Sequence, residues 1–245
     1  GGTLTVDKLS LTPTTTNVSK VYDASTLAAG VSLNLAAAKS GDAVTGSATS
    51  GTYTTQNVVN NDTVTFGGLS LSGADKDNYA LATASVQTSG AITPRALTLQ
   101  AISDSKTYDG STSSTGTVTV SGLAPSSTDS VTSLTQAFAS KNVLGSNGST
   151  LNVNSGYTVN DGNSGNNYTV STQSANGTIT PKSLSLAAVT ATKTYDGTTT
   201  STASVAVTGI ADNSGDTVTG LSQAFGSKHV LGSNGSTLSV NSGYT

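Results

Sequence analysis

The chain contains no cysteine, no methionine and no tryptophan, and its acidic residues are all aspartate. Without cysteine, neither a disulfide nor a thiolate metal site can form, so stability must come from buried side chains and paired strands. Aspartate favours turns and caps, whereas glutamate favours helix interiors. The lack of oxidisable side chains suits an extracellular protein, although drift within a repetitive sequence explains it equally well.

Charge is also scarce. Charged residues make up 9% of the 245 positions, with a formal net charge of −3 and a pI near 4.8. Nucleic acid and anionic lipid are bound by clusters of lysine and arginine, and the sequence has no such cluster. It also has no run of 18 apolar residues that would predict insertion into a membrane. We therefore expect no nucleic-acid partner and no membrane insertion.

Apolar residues are few but regularly spaced. Hydrophobic residues account for 34% of the chain and aromatic residues for 4%. Alternation of apolar and small polar residues, as at 118–120 and 184–186, predicts strands with one buried face. No segment has a convincing helical period, and residues 27–39 are read as irregular or strand. The sequence predicts an ordered all-β protein with a small core.

The sequence repeats itself at domain length. Residues 95–158 recur as 182–245 with about 40 of 64 positions identical, and a weaker copy precedes them. We predict repeat modules at 8–94 and 95–181, and a truncated third at 182–245. Residues 1–7 resemble the end of a preceding module. Because catalysis needs one site whereas a spacer needs many copies, the repetition favours a structural array.

Each module is predicted to be a β-sandwich of immunoglobulin-like type, with short strands between turn signals. Asn147-Gly148 is predicted to form a type I′ turn that joins antiparallel strands. The strands predicted in the second module are 96–99, 117–121, an irregular 129–138, 142–144, 151–154, 157–159, 168–171 and 177–180.

The junctions between modules are short. Ile-Thr-Pro closes the first module at 92–94 and the second at 179–181, with no flexible spacer after it. Proline fixes its own φ and favours an extended conformation in the preceding residue. A linker with one proline and no glycine run is stiff, so the modules are predicted to form an extended rod.

A Lys-x-Tyr-Asp motif recurs at residues 20–23, 106–109 and 193–196. It is interpreted either as a site for binding or for an isopeptide cross-link, or as a structural element in which tyrosine covers the core and Asp-Gly turns the chain. The structural interpretation is favoured. Tyr108 and Tyr195 are predicted to pack as equivalents beside the junctions. Ala24 replaces the glycine of the other copies, so the first turn is expected to differ.

Other candidate residues are weaker. Asp75 and Asp77 have the alternate spacing of a calcium loop, but Lys76 separates them and the second module has neutral residues there. His229 is the only histidine, and a single ring cannot make a catalytic network. We predict no catalytic, cofactor-binding or metal-binding residues and no cofactor, and the protein is not expected to be an enzyme.

These motifs, in this order, resemble the YDG/MBG-type repeat of large secreted bacterial proteins. The matching segments are Tyr-Asp-Gly at 108–110, Asp-Ala-Val-Thr at 42–45, Lys-Asn-Val at 141–143, Leu-Ser-Gly-Ala-Asp at 71–75 with Asn-Tyr at 78–79, and Ile-Thr-Pro at 92–94. The resemblance implies a haemagglutinin-like adhesin or matrix protein exported by two-partner or type I secretion, and it implies no catalysis.

The expected function is that of a stalk in an extracellular bacterial adhesin or biofilm-matrix fibre, secreted or held at the cell surface. Its partners would be neighbouring modules or copies of the same protein. Two alternatives remain open. The modules could bind polysaccharide or cell-surface glycans weakly and gain avidity, or they could assemble into a fibre through sheet edges. Buried tyrosines would favour the stalk, and an exposed row would favour sugar binding.

The ends of the sequence have counterparts inside it. Residues 2–11 parallel 177–186, which close one module and open the next, and 244–245 correspond to 157–158. We expect the chain to be a window onto a longer array. The alternative is that a neighbouring chain supplies the strands that the third module lacks.

Overall fold

A computed structural model describes residues 1–212 and 214–245, which form twenty β-strands and one 3₁₀ turn, Lys76–Asn78. The strands are β1 (Leu9–Leu11), β2 (Val18–Val21), β3 (Leu27–Leu33), β4 (Thr45–Tyr53), β5 (Val59–Ser72), β6 (Tyr79–Leu81), β7 (Val86–Thr93), β8 (Arg95–Gln100), β9 (Ser105–Thr107), β10 (Thr119–Ser121), β11 (Ser130–Thr132), β12 (Gln136–Phe138), β13 (Ser149–Val153), β14 (Thr158–Asn160), β15 (Tyr168–Gln173), β16 (Ala175–Thr180), β17 (Ser185–Ala187), β18 (Ala206–Thr208), β19 (Gln223–Phe225) and β20 (Leu238–Val240).

The prediction of an all-β protein is confirmed. Most strands predicted in the second repeat are present, and β3 confirms a strand rather than a helix at the start of 27–39. The irregular segment 129–138 is two strands, β11 and β12, which lie in different sheets. The predicted strand at 142–144 is wrong, and β9 was not predicted. Its sequence, Ser-Lys-Thr, has no apolar residue that would indicate a strand.

The chain divides into two compact units. Unit 1 contains 1–99, 120–134 and 155–172, and unit 2 contains 100–119, 135–154 and 173–245. Unit 1 therefore contains the first repeat and part of the second, and unit 2 contains the rest of the second repeat and the third. Contacts between successive repeats thus occur inside each unit.

Unit 1 is built on a five-stranded sheet of order β2-β7-β5-β4-β3. Strands β3, β4, β5 and β7 pair antiparallel, whereas β2 pairs parallel with β7. Val64 and Phe66 of β5 and Ile92 of β7 are completely or almost completely buried. Alternation in β5 and β7 places these side chains on one face, which forms the core.

The second-repeat part of unit 1 adds smaller sheets. Strand β8 lies between β10 and β15, and β11 pairs antiparallel with β14. Leu97 and Leu99 of β8 are fully buried. In the first repeat, β1 pairs parallel with β6. Tyr168 of β15 and Asp129, which immediately precedes β11, contact Tyr22, as described below.

Unit 2 contains a four-stranded sheet of order β12-β13-β16-β9. Strand β16 occupies an inner position, antiparallel to β13 and parallel to β9. Its Ile179 is buried in a cluster with Ala101, Phe138 and Leu151. A Cβ at Gly177 would lie 2.8 Å from side-chain atoms of both Phe138 and Leu151, so only glycine fits there.

The third repeat reproduces part of the strand pairing of the second, although the counterparts of β9 and β11, at 192–194 and 217–219, are not strands. Strand β17 pairs with β18, and β19 pairs with β20. The bridge between Ser113 and Ala137 returns as Thr200 with Ala224, again 87 residues further along. Similar side chains at these equivalent positions therefore make the same local structure in both repeats.

A buried glutamine supports each of these two repeats. Gln136 accepts a hydrogen bond from the N–H of Ile102 at 2.8 Å and donates to its carbonyl at 2.9 Å. Gln223 makes the same pair of bonds with Val189, each at 2.7 Å. One side chain thus satisfies a backbone donor and a backbone acceptor that no strand partner reaches. The sequence analysis did not single out these glutamines.

The predicted type I′ turn is wrong. The hydrogen bond from Gly148 N–H to the Gly145 carbonyl, at 3.2 Å, places Ser146 and Asn147 at the centre of the turn. Asn147 has φ +54°, and Gly148 is outside the left-handed region. Gly148 is needed for a different reason, because a Cβ there would lie 2.1 Å from the Leu144 carbonyl oxygen. The turn leads from a loop into β13 rather than joining two strands directly.

Candidate functional site: the Lys-x-Tyr-Asp motif

The lysine of the motif makes the same contacts in all three repeats. Its Nζ lies 2.7 Å from the Asp23 carboxylate in the first repeat and 2.8 Å from Asp109 and from Asp196 in the others. It also donates to the carbonyl oxygen two residues after the aspartate, at 2.7, 2.8 and 2.6 Å in chain order. In the first two repeats, the ammonium therefore joins the end of a strand to the loop that follows it.

An aromatic ring lies beneath each of these ammonium groups. Nζ of Lys20 is 5.3 Å from the centre of the Tyr53 ring, and Nζ of Lys106 is 5.5 Å from that of Phe138. In the third repeat, Lys193 lies 5.6 Å from the centre of the Phe225 ring. These distances allow a cation–π attraction, so the charge is accommodated between a carboxylate and a ring.

The aspartate turns the chain in the same way in each copy. Asp23 accepts from the backbone N–H of Ser25, Asp109 from Ser111 and Asp196 from Thr198, at 2.9 to 3.0 Å. The residue between them is left-handed in every case, with φ +60° at Ala24 and +79° at both Gly110 and Gly197. The expectation that alanine changes the first turn is wrong. The lysine and aspartate contacts hold the turn even where the residue has a Cβ.

These contacts indicate that the lysine and the aspartate of the motif close a turn. Lys20 donates to the Asp23 carboxylate, the Ser25 carbonyl and hydroxyl and the Leu27 carbonyl. These oxygens belong to the loop after β2 and to the first residue of β3. The tyrosine of the motif points elsewhere, towards the next repeat.

Tyr22 is the most buried tyrosine, with 0% of its surface exposed. Its hydroxyl donates to the Asp129 carboxylate of the second repeat at 3.1 Å. Asp129 also accepts a hydrogen bond from Tyr168 at 2.6 Å, and the two rings meet edge to face with centroids 5.4 Å apart. We call Asp129 and Tyr168 the tyrosine socket of the second repeat.

The same contact joins the second repeat to the third. The Tyr108 hydroxyl donates to the Asp216 carboxylate at 2.8 Å. Asp216 is the equivalent of Asp129, and Gly110 lies against Ser214 beside it. Tyr108 is half-buried.

In the first repeat, Asp42 and Tyr79 are the equivalents of Asp129 and Tyr168. Tyr79 donates to the Asp42 carboxylate at 2.5 Å, and its oxygen accepts from the N–H of Lys39 at 3.0 Å. In the second repeat, Tyr168 accepts in the same way from Ala124 at 2.9 Å. The Asp42 side chain is exposed, so its carboxylate is accessible to a further donor.

The prediction that Tyr108 and Tyr195 pack as equivalents is wrong. Tyr195 is 60% exposed, whereas Tyr108 contacts Asp216. The motif tyrosine of a repeat is covered by the following repeat rather than by the core of its own repeat. The described residues contain no repeat after the third. The sequence does show that an aspartate recurs at equivalent positions, Asp129 and Asp216, 87 residues apart. No pattern in the sequence indicates that each of these aspartates binds the motif tyrosine of the preceding repeat.

The electrostatics keep the phenols protonated as hydrogen-bond donors. Burial, and then the hydrogen bond to Asp129, raises the pKa of Tyr22 well above its usual value. Burial likewise raises the pKa of Tyr168. For Tyr108 the main cause of its raised pKa is the hydrogen bond to Asp216, whose own pKa is lowered by the same bond.

A buried amide adds a second contact between the first two repeats. The side-chain oxygen of Asn167 accepts from the N–H of Val58 at 2.9 Å, and its nitrogen donates to Asn57 at 3.1 Å. The Asp161 carboxylate accepts from the backbone N–H of Asn163, Gly165 and Asn167, which fixes the loop that presents the amide.

The remaining candidates have ordinary structural contacts. The Asp75 carboxylate accepts from the N–H of Ala43 at 2.7 Å, and His229 is exposed with its backbone N–H bound to Ser227. Across 1–212 and 214–245, no three histidine, cysteine or acidic residues are grouped as metal ligands. Nor do these residues form a helix with the length and apolar character that crossing a bilayer requires.

A matched pair of glycines tests the contact between the second and third repeats. Gly110 and Gly197 share φ +79°, but only at Gly110 would a Cβ meet Ser214, at 2.4 Å from its Cβ. We expect Gly197→Ala to cost about 1 kcal/mol for the left-handed backbone. Gly110→Ala is expected to cost roughly 1–3 kcal/mol more because of the clash. Denaturant unfolding measures both, and equal losses would mean that Ser214 does not lie against Gly110.

High pH should weaken the packing around Tyr22. Its pKa in the folded protein is above the value of 10.0 for a free side chain. Its contribution is therefore fully present below pH 10 and is lost as the pH rises further. We expect tyrosinate absorbance and loss of β-sheet circular dichroism to rise together above that pH. Tyr22→Phe should lose less stability over the same range, and an equal loss would contradict this assignment.

The fold and these contacts define a tandem array of small all-β repeats, each joined to the next by a tyrosine. The YDG domain family matches the chain three times, at residues 6–87, 93–175 and 180–245. The chain therefore belongs to the YDG domain family. No curated protein and no solved structure matches it.

Proposed function

We propose that the chain is a stalk segment of a bacterial extracellular adhesin or biofilm-matrix fibre, secreted or held at the cell surface, and without catalysis. In this proposal each YDG repeat is an immunoglobulin-like sandwich, and successive repeats form an extended rod. The observation that carries the proposal is the repeated contact of Tyr22 with Asp129 and of Tyr108 with Asp216, at 3.1 and 2.8 Å.

This contact supports a spacer because it restricts the linker. A linker that only tethers two domains leaves their relative motion free. Here a side chain adjoining the first junction is fully buried in the next repeat, and the Asn167 amide adds two further hydrogen bonds. A stalk needs such a restriction at every junction, whereas a soluble enzyme or a single binding domain does not.

The distribution of tyrosines favours the stalk over polysaccharide binding. Tyr22, Tyr53, Tyr79 and Tyr168 are all buried. Sugar-binding surfaces require exposed rings that recur from repeat to repeat, and the motif tyrosine is exposed only in the third. The proposed partners are therefore neighbouring repeats or copies of the same protein.

Small-angle X-ray scattering of the full chain in dilute solution tests the proposal. A compact protein of this length has a radius of gyration of about 18 Å, and a rod should exceed this value clearly. A value near 18 Å would overturn the rod. Specific binding on a glycan array, lost on mutation of an exposed tyrosine, would favour the polysaccharide alternative instead.

A further inference from the structure

A carboxylate, a hydroxyl and a buried amide meet beside the sheet of the second repeat. Gln136, the first residue of β12, is 3% exposed, and its amide nitrogen donates to the Ser114 hydroxyl at 3.0 Å. That hydroxyl donates in turn to the Asp104 carboxylate at 2.6 Å. The three side chains therefore form a continuous line of hydrogen bonds from a carboxylate to a carboxamide.

The carboxylate is placed to accept the serine proton. Asp104 also accepts from the backbone N–H groups of Thr115 and Gly116, at 3.0 and 3.3 Å. The hydrogen bond from Ser114 is the main cause of the lowered pKa of Asp104, so the carboxyl group is ionised at neutral pH. A serine hydroxyl becomes a nucleophile when a base lies within hydrogen-bond distance of it, and a separation of 2.6 Å meets that condition.

The carboxamide is held in a position where a nucleophile can attack it. The side-chain oxygen of Gln136 accepts from the N–H of Ile102 at 2.8 Å, a distance at which a donor stabilises the oxyanion of a tetrahedral intermediate. The backbone beside Ser114 packs against the amide, because a Cβ at Gly116 would lie 3.1 Å from Cδ of Gln136. Since the amide is buried, the serine competes with little water for this carbon.

The third repeat contains the same arrangement without the carboxylate. Gln223 donates to the Ser201 hydroxyl at 3.1 Å and makes both backbone hydrogen bonds to Val189. Ala191 occupies the position of Asp104. The amide and the hydroxyl therefore make their structural contacts in both repeats, and these contacts do not require the carboxylate.

We propose that the second repeat forms an intramolecular ester between Ser114 and Gln136. Asp104 takes the hydroxyl proton while Oγ of Ser114 attacks Cδ of Gln136, and the N–H of Ile102 stabilises the oxyanion. The C–N bond of the carboxamide then breaks, and the proton passes from Asp104 to the departing nitrogen, which leaves as ammonia. One C–O bond replaces one C–N bond, so no electrons are gained or lost. The reaction occurs once, and its product stays within the chain.

The ester would join the loop before β10 to the first residue of β12. A covalent link between two points of a chain stabilises the fold by restricting the unfolded chain. The segment 114–136 could then not be fully extended even after unfolding. The inference does not rest on the proposed function, because all the reacting groups lie inside unit 2.

Mass spectrometry of the intact, denatured chain tests the reaction. We expect the chain to be lighter than its sequence mass of 24.0 kDa by one ammonia, and by only one, because the third repeat lacks the carboxylate. A mass equal to the sequence mass would overturn the proposal.

Peptide mapping locates the bond. After cleavage at Leu123, which lies between Ser114 and Gln136, the two fragments should remain joined. Mild alkali should then separate them, since it hydrolyses an ester and leaves an amide cross-link intact. Loss of ammonia within a single fragment, as in succinimide formation at Asn147, would contradict the proposal.

Two substitutions exchange the carboxylate between the repeats. Asp104→Ala gives the second repeat the residue that the third has naturally, and it should abolish the loss of ammonia while circular dichroism shows the fold unchanged. Ala191→Asp should add a second loss, with a new ester between Ser201 and Gln223. An ester that persists in Asp104→Ala, or a folded Ala191→Asp variant with no second loss, would show that the carboxylate is not the base.

Discussion

Tyr22→Ala is expected to lower the free energy of unfolding of unit 1 by roughly 3–5 kcal/mol, the range for a fully buried aromatic side chain. The ring has no exposed surface and contacts Tyr168 edge to face. Its removal would also leave Asp129 with one donor fewer. Denaturant unfolding followed by circular dichroism measures the loss.

Two further substitutions separate the causes. Tyr22→Phe keeps the ring and removes only the hydrogen bond to a carboxylate, so a loss of about 2 kcal/mol is expected. Tyr195→Ala, at the equivalent exposed position, should cost less than about 1 kcal/mol in dilute solution. Equal losses from Tyr22→Ala and Tyr195→Ala would show that the tyrosine stabilises its own repeat and not the junction.

Asn167→Ala is expected to cost about 3 kcal/mol, because each donor or acceptor left unpaired in a buried site costs roughly 1–3 kcal/mol. The amide is fully buried, and its removal leaves the Val58 N–H without its acceptor. Hydrogen exchange at Val58 should accelerate in the same variant, which places the effect at the contact between the first two repeats.

The adjacent Asn166 provides the control. Its side chain is exposed and donates one hydrogen bond, to the Asn163 carbonyl at 2.8 Å. Asn166→Ala should therefore stay within about 0.5 kcal/mol of the parent protein. If both substitutions had the same small effect, the Asn167 amide would not contribute to the contact.

The sequence predicted the strands best where they are long and apolar. Leu97 and Leu99 alternate with polar residues, and β8 contains both. Residues 105–107 were missed because β9 is defined by its neighbour β16 and not by its own composition. Backbone pairing with a strand about 70 residues away leaves no local pattern in three polar or charged residues.

The candidate site was predicted only in part. The lysine and the aspartate of the motif interact at a spacing of three residues, so a structural turn was a sound inference. The burial of Tyr22 depends on Asp129, more than 100 positions away and in another repeat. The series from Tyr22 to Tyr195 shows why identical motifs differ in burial: their surroundings come from the next repeat.

The parallel pairing of β9 with β16 has a mechanical consequence. In the second repeat one strand lies near the start and the other at the end, and both run in the same direction. Tension applied through the two ends of the repeat pulls these strands in opposite directions along their length. All the hydrogen bonds between them are then loaded together, in shear, instead of opening one after another. Strands β2 and β7 of the first repeat share this geometry, so both repeats should resist stretching more strongly than their small apolar cores suggest.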